Sequence, residues 1–406
     1  MRTVLVTGLG GAGRSTVAAA TALAGARSGA RTLLLSADAI PGFPAETAPT
    51  RVNDTLSSVR IDSGEHFRGE LLTLQDQLSG VLDLLGGNRM DGEELTELPG
   101  STELALLHAL RRAARGDWSR AGYDLLVVDL PPLREALAVL ALPEQLRRYL
   151  RRLLPQERQA ARALRPMLAQ LAGVPMPAQW LYEAAARRDA ELAEVQELIE
   201  DRATTLRLVA EPGPAAEDAL RTARTGLALH GLRVDAVVAN RVLPRHSSDP
   251  WFAALAAQQE KCLGHWREEW TAEAPSVLVP HLGRDPHGSD DLTGLDGTDG
   301  APSLAPDTRG GGRADDPWWI EEAGAPDGPD GGDGILVWCL RLPGAVKKDL
   351  QLVRRGSELL LTVGTFHRIV PLESALRRCT VSGAALTDGV LRVRFTPDPG
   401  LWPRTG

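Results

Sequence analysis

Val4 to Thr16 reads VLVTGLGGAGRST, a glycine-rich turn between an apolar run and a helix-forming stretch. Gly8, Gly10 and Gly13 satisfy G-x-G-x-x-G, the dinucleotide fingerprint. Gly8 to Ser15 nearly satisfies G-x-x-x-x-G-K-[ST], the phosphate loop of nucleotide hydrolases. Both patterns hold a phosphate against glycine N–H groups and a helix N-terminus. One residue departs from the second pattern: Arg14 stands where its lysine belongs.

Residues elsewhere in the chain separate the two readings. Asp38, about 25 residues after Gly13, suits either one, as a ribose-binding acid or as a hydrolase aspartate. Arg14, Ser15 and Thr16 place a cation and two hydroxyls at the helix start, and a dinucleotide loop has no use for a magnesium-binding hydroxyl. LLVVDLPP carries one carboxylate, Asp129, to a sheet edge, as magnesium in a nucleotide hydrolase requires. VVANRVLP ends another apolar run with Asn240, an amide able to read the donor and acceptor pattern of a base. The phosphate-loop reading accounts for all of these residues, and it leaves a nicotinamide-dependent oxidoreductase as the weaker alternative.

The elements that must position them follow from periodicity. Thr3–Thr7, Thr32–Ser36, Leu125–Asp129, Leu206–Ala210, Val234–Asn240 and Ser276–Val279 are predominantly apolar rather than alternating, which suits a parallel sheet covered on both faces. The expected fold is α/β, a phosphate-loop sheet over residues 1–284 with ligands at the carboxyl ends of its strands. Two stretches with helical spacing interrupt it, at about 68–98 and 143–202. Core packing accounts for their apolar stripes, and an apolar groove for a client helix would need stripes the subdomain cannot itself cover. Residues 285–333 are rich in Gly, Pro and Asp and read as an acidic, flexible linker. Within it, Trp318 and Trp319 either dock on a neighbouring surface or simply ride in the tether. From 334 to 399 alternating strands with Gly and Asp-Gly turns read as an all-β sandwich without a catalytic cluster.

Bulk properties exclude several classes. The 406 residues are 43% hydrophobic and 24% charged, and no apolar run is long enough for a transmembrane segment. The start of the chain is too short in apolar residues for a signal peptide, so a cytoplasmic protein is expected. Of the net charge of −8, the stretch from Asp285 to Gly334 alone holds thirteen acidic residues against two arginines. The remainder is close to neutral and does not suggest nucleic-acid binding. Cys262, Cys339 and Cys379 lie far apart, which encodes neither a disulfide framework nor a zinc site.

Taken in order, GLGGAGRST, LLLSADA, PGSTE, YDLLVVDLPP, LRLVAEPGP and VVANRVLP resemble the arsenite-pump (ArsA) ATPase family, which includes the ATPases that target tail-anchored membrane proteins. The sandwich resembles the small-heat-shock (α-crystallin) domain that some members carry. The resemblance implies ATP and magnesium as cofactors, a homodimer, and an apolar client protein or membrane-protein segment as partner. It makes Gly10, Gly11, Gly13, Arg14, Ser15 and Thr16 the phosphate cradle, with Ser15 and Asp129 toward magnesium. Asp38 matches the aspartate that positions the attacking water, so Asp38 and Arg14 are the implied catalytic residues. Asn240 matches the adenine-reading asparagine, and Glu211 with Pro212 the pair beside the nucleotide. The role of Glu103 in PGSTE stays open.

The departures from the family pattern matter as much. A second family lysine that reaches the partner's phosphates is Leu9 here, which donates nothing. Arg14 offers a broad planar fork where a compact ammonium is usual. The polar residues following Asp38 and Asp129 have become Ala39, Ile40 and Pro41, and Leu130 to Glu135. The expected activity is therefore slow magnesium-dependent ATP hydrolysis, with a nucleotide-binding chaperone or scaffold that has lost hydrolysis as the alternative.

Overall fold

The computed structural model describes residues 1–77, 79, 88–119, 122–154, 177–245, 248–270, 273–296, 303–307, 310–323, 335–398 and 400–401. They form two units: Met1–Pro212 with Val234–Arg313, and Gly213–Arg233 with Ala314–Gly406.

In chain order the first unit contains β1 (Arg2–Gly8), α1 (Arg14–Arg27), β2 (Thr32–Ser36), β3 (Thr50–Arg51), β4 (Leu56–Arg60), α2 (Ser63–Gln77), α3 (Ser101–Arg115) and β5 (Leu125–Asp129). It continues through α4 (Leu133–Leu153), α5 (Pro177–Glu200) and β6 (Thr204–Ala210). The chain then gives α6 (Pro214–His230) to the second unit. It returns with β7 (Val234–Val242), α7 (Pro250–Trp270), β8 (Ser276–Pro280) and α8 (Gly288–Gly294). The strands form one sheet in the order β3-β4-β2-β5-β1-β6-β7-β8, parallel except for β3. Because β1 has β5 on one side and β6 on the other, the direction of strand addition reverses beside it, where an open α/β sheet binds ligands.

Burial on both faces explains why these strands do not alternate: β1, β2, β5 and β6 are buried at every residue, Arg2 and Arg207 included. Helix α1 is alanine-rich and buried from Val17 to Ala26, so its backbone lies close to the sheet. The polar spacing of LSSVR hid β4 from the periodicity argument. Leu56 and Val59 are nevertheless buried, and Ser58 is buried with them.

Both expected insertions contain helices, though residues 88–91 and 95–98 of the first are irregular. The first is α2 followed by a single 3-10 turn, Gly92–Glu94; residues 78 and 80–87 lie outside the described residues. The second does not begin at Pro143, which lies inside α4. Leu133, Ala136, Leu137 and Leu140 already form the buried face of that helix, and a proline removes only one of its backbone bonds. Residues 155–176 lie outside the described residues. α2 packs on α3, α4 on α5 and α3 on α5, and Arg111 ties α3 to Glu191 (3.0 Å) and Glu194 (2.7 Å) of α5.

The second unit contains α6, β9 (Trp318–Ala323), β10 (Ile335–Arg341), β11 (Leu350–Arg355), β12 (Glu358–Val363), β13 (Phe366–Pro371), α9 (Ser374–Arg377), β14 (Cys379–Thr387) and β15 (Val390–Pro397). Two antiparallel sheets, β14-β15-β10-β9 and β11-β12-β13, enclose Trp338, Leu359, Leu361, Leu391, Val393 and Phe395. Leu229 of α6 joins this core. A Cβ on Gly226 would stand 2.6 Å from the Phe366 ring, and Arg368 Nη1 donates to the Leu229 carbonyl at 2.8 Å.

The reading of 285–333 as a flexible linker is corrected over much of its length. Gly288–Gly294 is helical, and Leu292, Leu295 and Leu304 are buried in the core of the first unit. Arg207 Nη1 donates to the Leu304 carbonyl (2.5 Å), and Arg2 Nε to that of Asp307 (3.2 Å). Averaging over Gly, Pro and Asp concealed three leucines and the backbone carbonyls that hold them in place. Trp318 and Trp319 belong to strand β9, which pairs with β10, so the all-β region begins before residue 334. Trp318 lies 6.1 Å from the Trp338 ring and packs on the sandwich core; Trp319 Nε1 donates to Glu321 at 2.7 Å.

Candidate functional site

Gly8 ends β1 so close to β6 that an added Cβ would stand 1.9 Å from the Val209 carbonyl oxygen. The chain then turns through Gly11 (φ 78°) and Gly13 (φ 84°), conformations that disfavour a side chain. Gly13 caps α1 with no side-chain hydrogen bond. The first-turn N–H groups of Arg14, Ser15 and Thr16 therefore carry the positive end of the helix dipole without a competing cap.

Asn240 and Arg241, at the end of β7, hold the loop in this shape. Asn240 is buried, and its Nδ2 donates to the Ala12 carbonyl at 2.7 Å. Arg241 adopts φ 57°; its Nη1 donates to the Gly11 carbonyl at 3.1 Å and pairs with Glu211 at 3.5 Å. Glu211 thus meets the loop through Arg241, while Pro212 is buried at the end of this stretch of the unit. Arg241 was missed from sequence, although its place directly after Asn240 was the available signal.

On the opposite side of the loop, Ser36 Oγ donates to Asp129 Oδ2 at 2.9 Å and accepts the Asp38 N–H at 3.1 Å. One hydroxyl therefore aligns the ends of β2 and β5, a role that sequence reasoning also missed. The Ser15 hydroxyl lies between Asp129 and Asp38, 3.4 Å from Asp38 Oδ2. Asp38 is exposed and Asp129 is buried. Burial raises the pKa of Asp129 against the opposing pull of Ser15, Ser36 and Arg14. Its Oδ1 has no hydrogen-bond partner. An orphaned buried carboxylate oxygen beside a serine hydroxyl at a helix N-terminus fits magnesium, which takes oxygen ligands.

Arg14 does not point along the phosphate cradle. Its Nη1 donates to the Leu130 carbonyl and lies 3.9 Å from Asp129 Oδ1. Leu9 packs against the core, as does Ile40. Gly13, Ser15, Thr16, Ile40, Asn240 and Arg241 line a cavity of about 340 Å³, closed by Pro280–Leu282 and Arg284–Pro286 after β8 and by Leu292 and Leu295 of the former linker. Nothing in the sequence reading anticipated that last wall.

A loop of this geometry at the reversal point of a mostly parallel sheet defines a phosphate-loop nucleotide-binding protein. The family model described as anion-transporting ATPase matches residues 1–298, and that for the HSP20-like domain found in ArsA matches residues 333–395. The chain belongs to the ArsA ATPase family. It is 54% identical to an uncharacterized protein of Streptomyces coelicolor over the full length of both chains. It is 30% identical to a protein of Mycobacterium tuberculosis, covering 99% of this chain and 97% of the other. A putative arsenical pump-driving ATPase of Aquifex aeolicus is 25% identical, covering 93% and 95%. Among the described residues no helix is long and apolar enough to cross a membrane.

Proposed function

We propose that this chain is a slow magnesium-dependent ATPase whose phosphate cradle comprises Gly10, Gly11, Gly13, Arg14, Ser15 and Thr16. The observation that carries this reading is the buried Asp129 Oδ1 beside Ser15, which has no hydrogen-bond partner and whose nearest cation, Arg14, is 3.9 Å away, an incompletely compensated charge that is costly to bury. Magnesium held by Ser15 and Asp129 would neutralise the charge on the phosphates. Asp38, exposed and 3.4 Å from the Ser15 hydroxyl, would orient an attacking water. Asn240 and the segment after β8 form the base end of the cavity, with Asn240 also securing the loop. The test is steady-state phosphate release by purified protein with magnesium and ATP: slow turnover abolished by Asp38→Asn supports it, and turnover unaffected by that change rejects it.

A second reading, binding without hydrolysis, is favoured by Arg14, which is turned toward Leu130 and Asp129 rather than the cradle. Single-turnover measurements distinguish the two, since a binding protein releases intact ATP.

The client belongs to the same proposal. Leu71, Leu74, Leu104, Leu107, Leu146 and Leu192 line a largely apolar groove of about 510 Å³ among α2, α3, α4 and α5. An apolar protein segment fits this surface, and a homodimer would be the working form; light scattering with and without nucleotide tests the latter.

A further inference from the structure

Helix α2 presents His66 and Glu70 one turn apart on a single face, and α3 brings His108 opposite them. One donor atom from each lies within 4.8 Å of the other two. The imidazole rings are 4.6 Å apart and tilted by 35°. Among the described residues no side-chain hydrogen bond engages either ring. Glu70 Oε2 meets Arg188 Nη2, while Arg188 Nη1 bonds Glu191 at 2.9 Å, so the carboxylate is oriented from behind and its second oxygen is left for a ligand.

We propose that His66, Glu70 and His108 bind a divalent transition-metal cation of the zinc class in the wall of the helical subdomain. Two neutral imidazoles and a carboxylate are a ligand set for zinc and its neighbours rather than for magnesium or calcium, which prefer all-oxygen shells. Burial lowers both histidine pKa values, which favours the neutral, metal-binding form. Bonds of about 2.0 to 2.2 Å to a tetrahedral ion separate its donors by roughly 3.4 Å, so the three groups close by at most about 1.4 Å on binding. Three protein ligands leave a position for water or another donor, and all three residues line the groove. The ion ties α2 to α3 and thereby stiffens the groove wall. Arg188 fixes the carboxylate while its charge opposes the cation, so it limits affinity.

The experiment uses the full-length protein. Cobalt(II) titration followed by visible absorption, with zinc(II) as competitor, is expected to show one equivalent bound. Affinity should fall at least tenfold in His66→Gln and in His108→Gln, and rise in Arg188→Gln. Nucleotide binding by each variant checks its folding, since none of these residues touches the nucleotide cavity. On the wild type, zinc should shift the NMR resonances of two histidine side chains out of the eight in the chain. Equal metal affinity in the wild type and both histidine variants would overturn the site, as would zinc perturbing only histidines other than His66 and His108.

Discussion

Two buried aspartates stand at opposite ends of the same sheet. Asp235, at the amino end of β7, is held by Arg2 (3.0 Å) and Arg207 (3.1 Å), which also bind Thr205, Thr21 and the carbonyls of Ala203 and Leu304. Asp129, at the carboxyl end of β5, has one oxygen on Ser36, the other unpartnered, and its nearest cation 3.9 Å away. The first carboxylate is completed by the protein, which makes it structural. The second is left incomplete beside the glycine loop, and function is expected at such sites.

The largest effect should follow from exchanging these roles. Asp235→Asn leaves two buried guanidiniums short of charge and should cost about 3 to 5 kcal/mol of stability. Asp129→Asn should be neutral or stabilising without ligand. Because the folded-state pKa of Asp129 lies above its unfolded value, the native state holds the proton more tightly. The resulting penalty is present at neutral pH and is relieved as pH falls through the raised pKa. Urea unfolding of both variants at pH 7 and at pH 4.5 measures this, and an equal loss in the two would remove the distinction.

The second unit should be the more acid-sensitive one. His230 is half-buried near Arg368 and His367, and desolvation above all pushes its pKa down to about 3. It is therefore neutral when folded and protonates once unfolded, so stability is lost as pH falls from about 6.5 toward 3. The expected loss is a few kcal/mol, and His230→Gln should flatten it; tryptophan fluorescence during acid titration supplies the measurement.

Asn240→Ala offers a finer comparison across the loop. Since its amide holds the Ala12 carbonyl, the change should weaken inorganic triphosphate as well as ATP, by about tenfold or roughly 1.4 kcal/mol. Loss confined to the adenine nucleotide would instead make Asn240 a base contact alone. Smaller still is the gain from Leu9→Lys with Arg14→Lys. If missing phosphate charge limits hydrolysis, turnover should rise several-fold, with each single change giving less. Unchanged phosphate release would place the limit in Ile40, Pro41 and the residues after Asp129.

Much of this was legible because both the sheet and the loop depend on local pattern. Apolar strands and a glycine turn ending in Arg14-Ser15-Thr16 announce themselves within a few residues. The helices inserted into the sheet and the sandwich were read the same way. What was not legible depends on packing between distant segments. Leu292, Leu295 and Leu304 find the core only once β8 has been placed, and composition averaging dissolved them into a linker. Ser36 and Arg241 acquire roles from neighbours 93 and 230 residues away. The assignment of α6 to the second unit could not be read from a helix with an ordinary crossover position between β6 and β7.

The most direct test of the central claim, that Asp129 and Ser15 complete their site with a magnesium nucleotide, is calorimetric titration of a non-hydrolysable ATP analogue with and without magnesium, on wild type and Asp129→Asn. The account predicts binding by the wild type that magnesium strengthens at least tenfold, and no such strengthening in the variant. Equal magnesium dependence in the two proteins, or no nucleotide binding by the wild type, would contradict it.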